Sequence, residues 1–225
     1  MKPKLITAVN GGRELQTKIF DQKILFICGI LSSLLYVSTD ILAAMQWEGY
    51  SYTSQAVSEL MAVGAPTRPF VATLFSIYDI LVIAFGIGIC LADSRKRARF
   101  TGILLIGSGI VGLATLLFFP MHLRGAEKTL SDVIHAIFTG VTVLLILFSV
   151  GFGTALYGKR FRLYSIVTIL VIILFGALAG MEGPKVAAQL PTPWLGIMER
   201  INIYSYLLWV LVLAVKFFRN QSVKA

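Results

Sequence analysis

Apolar positions in this chain fall in six long runs with almost no polar interruption, at 24–45, 70–92, 101–121, 133–157, 163–181 and 201–218. About 20 predominantly apolar residues are needed for a helix to cross the hydrocarbon core of a bilayer, and each run is of that order. The pattern predicts an all-α integral membrane protein with six transmembrane helices and short connections. Only Asp79 breaks the second run. The last run carries Lys216 at its end, where a long side chain can reach the headgroups.

The connections are sorted by sign. Of 20 Lys and Arg residues, 15 lie in four segments on one side: Lys2, Lys4, Arg13, Lys18 and Lys23; then Arg95, Lys96, Arg97 and Arg99; then Lys159, Arg160 and Arg162; then Lys216, Arg219 and Lys224. The opposite side has only Arg68, Arg124, Lys128, Lys185 and Arg200. Cytoplasmic loops carry the excess of basic residues, so both termini are expected in the cytoplasm. This gives a cytoplasmic N-terminal segment at 1–22, a six-helix domain at 23–219 and a cytoplasmic tail at 220–225. A polar stretch of about two dozen residues before the first run, with no small-residue cleavage site after a short one, predicts no cleavable signal peptide.

Composition adds little to this picture. Charged residues make up 14% of the chain, against about 25% in soluble domains. The net charge of +9 follows from the sidedness and does not call for nucleic acid. The partners it implies are membrane lipids, and no protein partner is assigned. Cys28 and Cys90 fall near the cytoplasmic ends of their runs and read as small buried residues rather than a disulfide.

The outer connections carry more detail. In the first, at 47–69, the stretch 54–63 reads as a short amphipathic helix. Ala56, Val57, Leu60 and Met61 form its apolar face, and Ser54, Ser58 and Glu59 its polar one. Gly64 suits a left-handed position after it, and Pro66 prevents continuation. Thr192 and Pro193 predict an early start for the last helix. Gly86 and Gly88, Gly102, Gly107, Gly109 and Gly112, and Gly176 and Gly180 read as sites of close helix packing.

Polar groups inside the runs are costly and normally face a bundle interior. Helical spacing aligns Ser33, Tyr36 and Asp40 in the first run, and Ala72, Ser76, Asp79 and Gly86 in the second. In the fourth it aligns Asp132, His135, Thr139 and Thr142, and in the sixth Glu199, Asn202 and Tyr206. Converging, these faces would make a polar cavity open to the outside, with His122 and Glu182 at its rim. Each group also has a structural reading. Asp132 closes a capping box with Thr129, His135 is a hydrogen-bonded core histidine, Asp40 and Asp79 bond to neighbouring helices, and Glu199 and Arg200 form an interfacial ion pair.

The chemistry these groups support is general-base catalysis by His135, oriented by Asp132. Arg68 or Arg200 would bind a phosphate bidentately, and Glu59, Asp40 and Glu199 complete the candidate binding set. No metal site is spelled out; His122 and His135 with a carboxylate are the only set that could form one. There is no His-Glu-x-x-His, nucleophile elbow, Walker loop or Cys-x-x-Cys, and two histidines are too few for a pair of bis-histidine haems. No cofactor is indicated.

Several blocks carry a resemblance: Tyr52-Thr-Ser-Gln-Ala-Val-Ser-Glu-Leu60 continuing to Gly64-Ala-Pro-Thr-Arg68, Phe119-Pro120, Asp132-x-x-His135, and Glu199-Arg200 leading into a Trp-containing last helix. Together they resemble the small six-helix membrane proteins catalogued as domain of unknown function 998, over nearly the whole chain. The resemblance implies a prokaryotic host and its cytoplasmic membrane, and it transfers no reaction. Three readings stand at this point. The first is a membrane protein with an outward-facing polar pocket, in its sharpest form a hydrolase or transferase acting on a lipid headgroup. The second is an ion-coupled transporter using Asp40 and Asp79. The third is a non-enzymatic stabiliser of a membrane complex.

Overall fold

The computed structural model describes residues 3–222, with side chains over 22–221. Lys2 and Lys224 lie outside the described residues, and only the helical backbone is described for Lys4, Arg13 and Lys18. The chain folds as helices α1 (Pro3–Gln46), α2 (Arg68–Ala92), α3 (Lys96–Phe118), α4 (Leu130–Gly153), α5 (Lys159–Met181), α6 (Gly183–Ala187) and α7 (Leu195–Ser222), with a 3₁₀ turn at Val57–Met61. Six of these segments are long and apolar enough to cross a membrane, α5 and α6 counting as one. The described residues contain no strand, only an isolated bridge between Val63 and His122.

Local signals set the ends. Pro69 occupies the first turn of α2, where its missing N–H costs nothing. Thr129 and Asp132 close a capping box at the start of α4, satisfying N–H groups that have no partner within the helix.

The six spans form a closed ring. α1 packs on α2, α2 on α3, α3 on α4, α4 on α5, α5 on α7, and α7 returns to α1. One end of the ring carries the connections rich in Lys and Arg. There Nη1 of Arg95 donates to the Leu156 carbonyl at 3.2 Å, joining two of those connections. At the other end lie the three longer loops, 47–67, 119–129 and 182–194.

Side-chain size decides how tightly each joint closes. A Cβ on Gly86 would stand 2.6 Å from the Gly102 carbonyl, and one on Gly109 would stand 2.8 Å from the Asp79 carbonyl. Small residues there let the α2 and α3 backbones touch. The α4–α5 joint has no such device and is loose. Only 17% of the most apolar window of α4 or α5 is buried, against 39% for α2, α3 and α7.

Two packed zones fill the ring. Toward the basic end, Phe26, Phe85, Ile89, Phe161, Trp209 and Phe217 form a solid core, and the Trp209 indole N–H donates to Ser165 Oγ at 2.9 Å. Beneath the long loops, Ala43, Val57, Leu60, Val71, Phe75 and Leu116 form a second cluster.

The expected helix at 54–63 is not formed. The segment makes five residues of 3₁₀ turn instead, and Val57, Glu59 and Leu60 are buried in it. Ala65 and Thr67 are buried just beyond, so the segment is wedged into the ring mouth and does not lie flat on a bilayer. Gly64 does take the left-handed conformation, at φ +96°, which favours glycine.

A Cβ on Gly153 would overlap the fully buried Trp209 ring, whereas one on Gly151 meets nothing. Overpacking of this kind costs about 1–3 kcal/mol. Gly153→Ala is therefore expected to lower the thermal unfolding midpoint in detergent, with Gly151→Ala unchanged.

Candidate functional site

At the long-loop end the three connections are knitted together. The Glu59 carboxylate accepts from Arg124 Nη2 at 2.8 Å, from the Ala56 N–H at 3.0 Å and from Gln55 Nε2 at 3.2 Å. Arg124 Nη1 also donates to Thr192 Oγ1 at 2.9 Å, and Thr192 donates to the Ser54 carbonyl. The Val63 N–H bonds the Met121 carbonyl at 2.8 Å. Arg68 turns back to the Met61 carbonyl at 2.6 Å.

Arg200 holds the roof to the ring. It is 3% exposed and pairs with Asp40, which is fully buried. Nε donates to Asp40 Oδ2 at 2.9 Å and Nη2 to Oδ1 at 2.8 Å. Nη2 also reaches the Tyr50 hydroxyl at 2.9 Å, and Nη1 the carbonyls of Tyr52, Gln55 and Gly196. All five N–H groups of the guanidinium are therefore spent on protein. The Tyr52 ring stacks over the cation at 3.6 Å, and the hydroxyls of Tyr52 and Tyr204 both donate to Asp40 Oδ2. Burial raises the Tyr50 phenol above its ordinary pKa despite Arg200 beside it, so it stays neutral.

These facts revise four sequence expectations. Arg200 has no donor left for a phosphate. Asp40 is its counter-ion and not a ligand group. Glu59 is 1% exposed and committed to Arg124. Glu199 and Arg200 do not pair with each other; Glu199 Oε2 accepts the Val57 N–H at 2.6 Å.

The expected His135–Asp132 dyad is not formed either. Asp132 accepts the N–H and hydroxyl of Thr129 at 2.8 and 2.9 Å. It also accepts the backbone N–H of His122 at 2.7 Å, and its Oδ2 lies 3.1 Å from His122 Nδ1. His135 is oriented instead by the Phe119 carbonyl, 2.9 Å from Nδ1. A carbonyl only accepts, so Nδ1 carries the proton and Nε2 keeps its lone pair. With His122 tied to Asp132 and His135 to Phe119, no three of His, Cys, Asp and Glu converge to hold a metal among the described residues.

Between the two packed zones lies a cavity of about 430 Å³. The polar faces predicted from helical spacing converge on it in part: Tyr36, Asp79, His135, Thr139, Glu199, Asn202 and Tyr206 line it. Asp40, Asp132, His122 and both arginines do not. Most of its wall is apolar, including Phe75, Val82, Leu116, Ile172 and the Tyr36 ring, which stacks on Phe75 at 4.2 Å. Asp79 sits eleven residues into α2, about 16 Å along the axis at ~1.5 Å per residue.

The expected opening along the bundle axis is roofed by Ala56, Ser58 and Met61. The exposed lining residues are on α4 and α5: Thr139 on one side and Gly180 on the other. Gly176 and Gly180 were expected to pack against a helix. A Cβ on Gly180 meets nothing, while one on Gly176 would stand 2.8 Å from Asn202 Nδ2. Gly176 thus packs against α7, and Gly180 leaves the α4–α5 seam open beside the cavity.

The fold and this interior define a six-span helical membrane protein with a buried, side-opening cavity. The family model described as "Protein of unknown function (DUF998)" matches residues 30–216, and the chain belongs to that family. No curated protein and no solved structure matches it.

The buried pair yields a quantitative expectation. Removing one partner of such a pair costs about 3–5 kcal/mol, because the other charge is left uncompensated. Arg200→Met alone should destabilise by that order in a detergent unfolding titration. The double variant with Asp40→Leu should recover part of the loss. A single variant as stable as wild type would contradict the pairing.

Proposed function

We propose that this protein binds an apolar-tailed small molecule from the bilayer, admitted sideways between α4 and α5 into the centre of the ring. The observation that carries this reading is the cavity itself. It is closed above by the roof, closed below by the Trp209 core, mostly apolar, and flanked by the least packed helix joint. Its volume lies in the range of about 300–1,000 Å³ typical of small-molecule sites. Polar groups on its wall, among them His135, Glu199, Asn202 and Asp79, supply orientation rather than bulk affinity.

The sidedness of Lys and Arg supports a cytoplasmic basic end and both termini in the cytoplasm. The roof then faces outward. Family membership and the resemblance on which it was first read support a prokaryotic cytoplasmic membrane as the location.

Hydrolysis or transfer on a lipid headgroup draws less support from the site. Arg200 has no donor left, Arg68 does not line the cavity, and the general base lacks the orienting carboxylate. Ion-coupled transport needs a path through the basic half of the ring. Phe26, Phe85, Trp209 and Phe217, all 4% exposed or less, occupy that path.

The reading is tested by filling the seam. Native mass spectrometry of protein purified in mild detergent should show a bound membrane amphiphile. Gly180→Trp should remove it without lowering the unfolding midpoint, since that position meets no neighbour. An empty wild-type protein, or equal occupancy in the variant, counts against a lateral amphiphile site.

A further inference from the structure

Beside the hydroxyls of its wall, the cavity is lined by His135, Asn202, Glu199 and Asp79, each with an acceptor that no described residue answers. His135 donates from Nδ1 to Phe119, which leaves the lone pair on Nε2. Asn202 donates one Nδ2 hydrogen to the Ile172 carbonyl at 2.6 Å, which leaves its own carbonyl and one N–H. Glu199 uses one oxygen on Val57, and its other oxygen bonds no described residue. Among the described residues no Lys or Arg lines the cavity.

Asp79 is the most exacting of these groups. It is 6% exposed, and neither carboxylate oxygen bonds a described residue. Its carboxyl rests on the bare Cα of Gly112, where a Cβ would stand 2.6 Å from Oδ1. The Tyr206 hydroxyl, which also lines the cavity, is buried with no hydrogen-bond partner among the described residues. A buried carboxyl without a donor is costly in a low-dielectric interior, and in a membrane such groups mark ligand or ion pathways. Asp79 therefore stands as an unanswered acceptor aimed into an apolar chamber.

We propose that the molecule this cavity takes is a lipophilic amine: a single apolar chain or ring system bearing an ammonium group, with Asp79 as its counter-ion. This rests on the amphiphile reading above and specifies the ligand's polar end. The ammonium supplies donors to Asp79, Glu199 and the His135 Nε2 lone pair, and the chain fills the apolar wall. A phosphate-bearing headgroup meets no cation among the described lining residues, so its charge would be buried unanswered. The cavity volume suits a one-chain amine and not a two-tailed phospholipid.

The test uses three probes of equal chain length against the purified full chain at neutral pH, with bound fraction read by native mass spectrometry. Dodecylamine is positively charged there, monolaurin is neutral and dodecyl phosphate is negative. Dodecylamine is expected to bind at least ten-fold more tightly than either other probe. Asp79→Asn should bring it down to the level of monolaurin while monolaurin binding is retained, which shows that the variant is folded. Glu199→Gln should weaken the amine preference in the same direction and serves if Asp79→Asn does not fold. Tighter binding of dodecyl phosphate, or undiminished amine preference in both variants, overturns the assignment of an amine. If none of the three probes binds the wild-type chain, the amphiphile reading itself fails, an outcome distinct from a failed amine preference.

Discussion

The ring is closed by one buried ion pair. Asp40 on α1 and Arg200 on α7 come from opposite ends of the chain and meet with side chains 0% and 3% exposed. Two charges out of water are tolerable only when every donor and lone pair is answered. Here Arg200 answers Asp40 with two bonds and spends the rest on Tyr50 and on the carbonyls of Tyr52, Gln55 and Gly196. The same residue thus joins the first and last helices and pins the first long loop over the ring. Gly196 makes this approach possible, since any Cβ there would overlap the carbonyls of Gln55 and Tyr52.

Glu199 and Arg200 show how one step along a helix separates two roles. Successive residues on an α-helix point about 100° apart at ~3.6 residues per turn. Arg200 turns toward α1 and the roof, and Glu199 lines the ring interior. Small residues make a similar division among the joints. Gly86, Gly102 and Gly109 draw α2 and α3 together, and Gly112 makes room for Asp79. Gly176 gives way to Asn202 of α7, whereas Gly180 meets nothing and leaves space beside the cavity. Where the glycines face a neighbour the ring is sealed, and where they face nothing it is open.

Much of this was legible in the sequence. Hydrophobic run length is a local property, and it located all six spans. Helical spacing placed Asp79, His135, Thr139, Glu199, Asn202 and Tyr206 on interior faces, and they do meet in one cavity. What was not legible is which residue answers which. Asp132 and His135 share a helix face one turn apart, yet Asp132 is taken by His122 across a loop and His135 by the Phe119 carbonyl. Tyr50 and Tyr52 are the cage of Arg200, a contact spanning some 150 positions. Such pairings depend on the order of helices around the ring, which no periodicity encodes. The 54–63 segment failed as a helix for a related reason. Its polar face, carried by Glu59, is claimed by Arg124 from a distant loop, and a wedged 3₁₀ turn meets that demand.

On the proposed reading, the ring interior holds a bilayer molecule that enters between α4 and α5. An experimental density map of the protein in a lipid nanodisc tests this most directly. We expect elongated density running from the seam beside Thr139 and Gly180 into the chamber, its polar end within hydrogen-bonding distance of Asp79. A map in which α4 and α5 close on each other and the chamber is collapsed or filled with water alone would contradict the account.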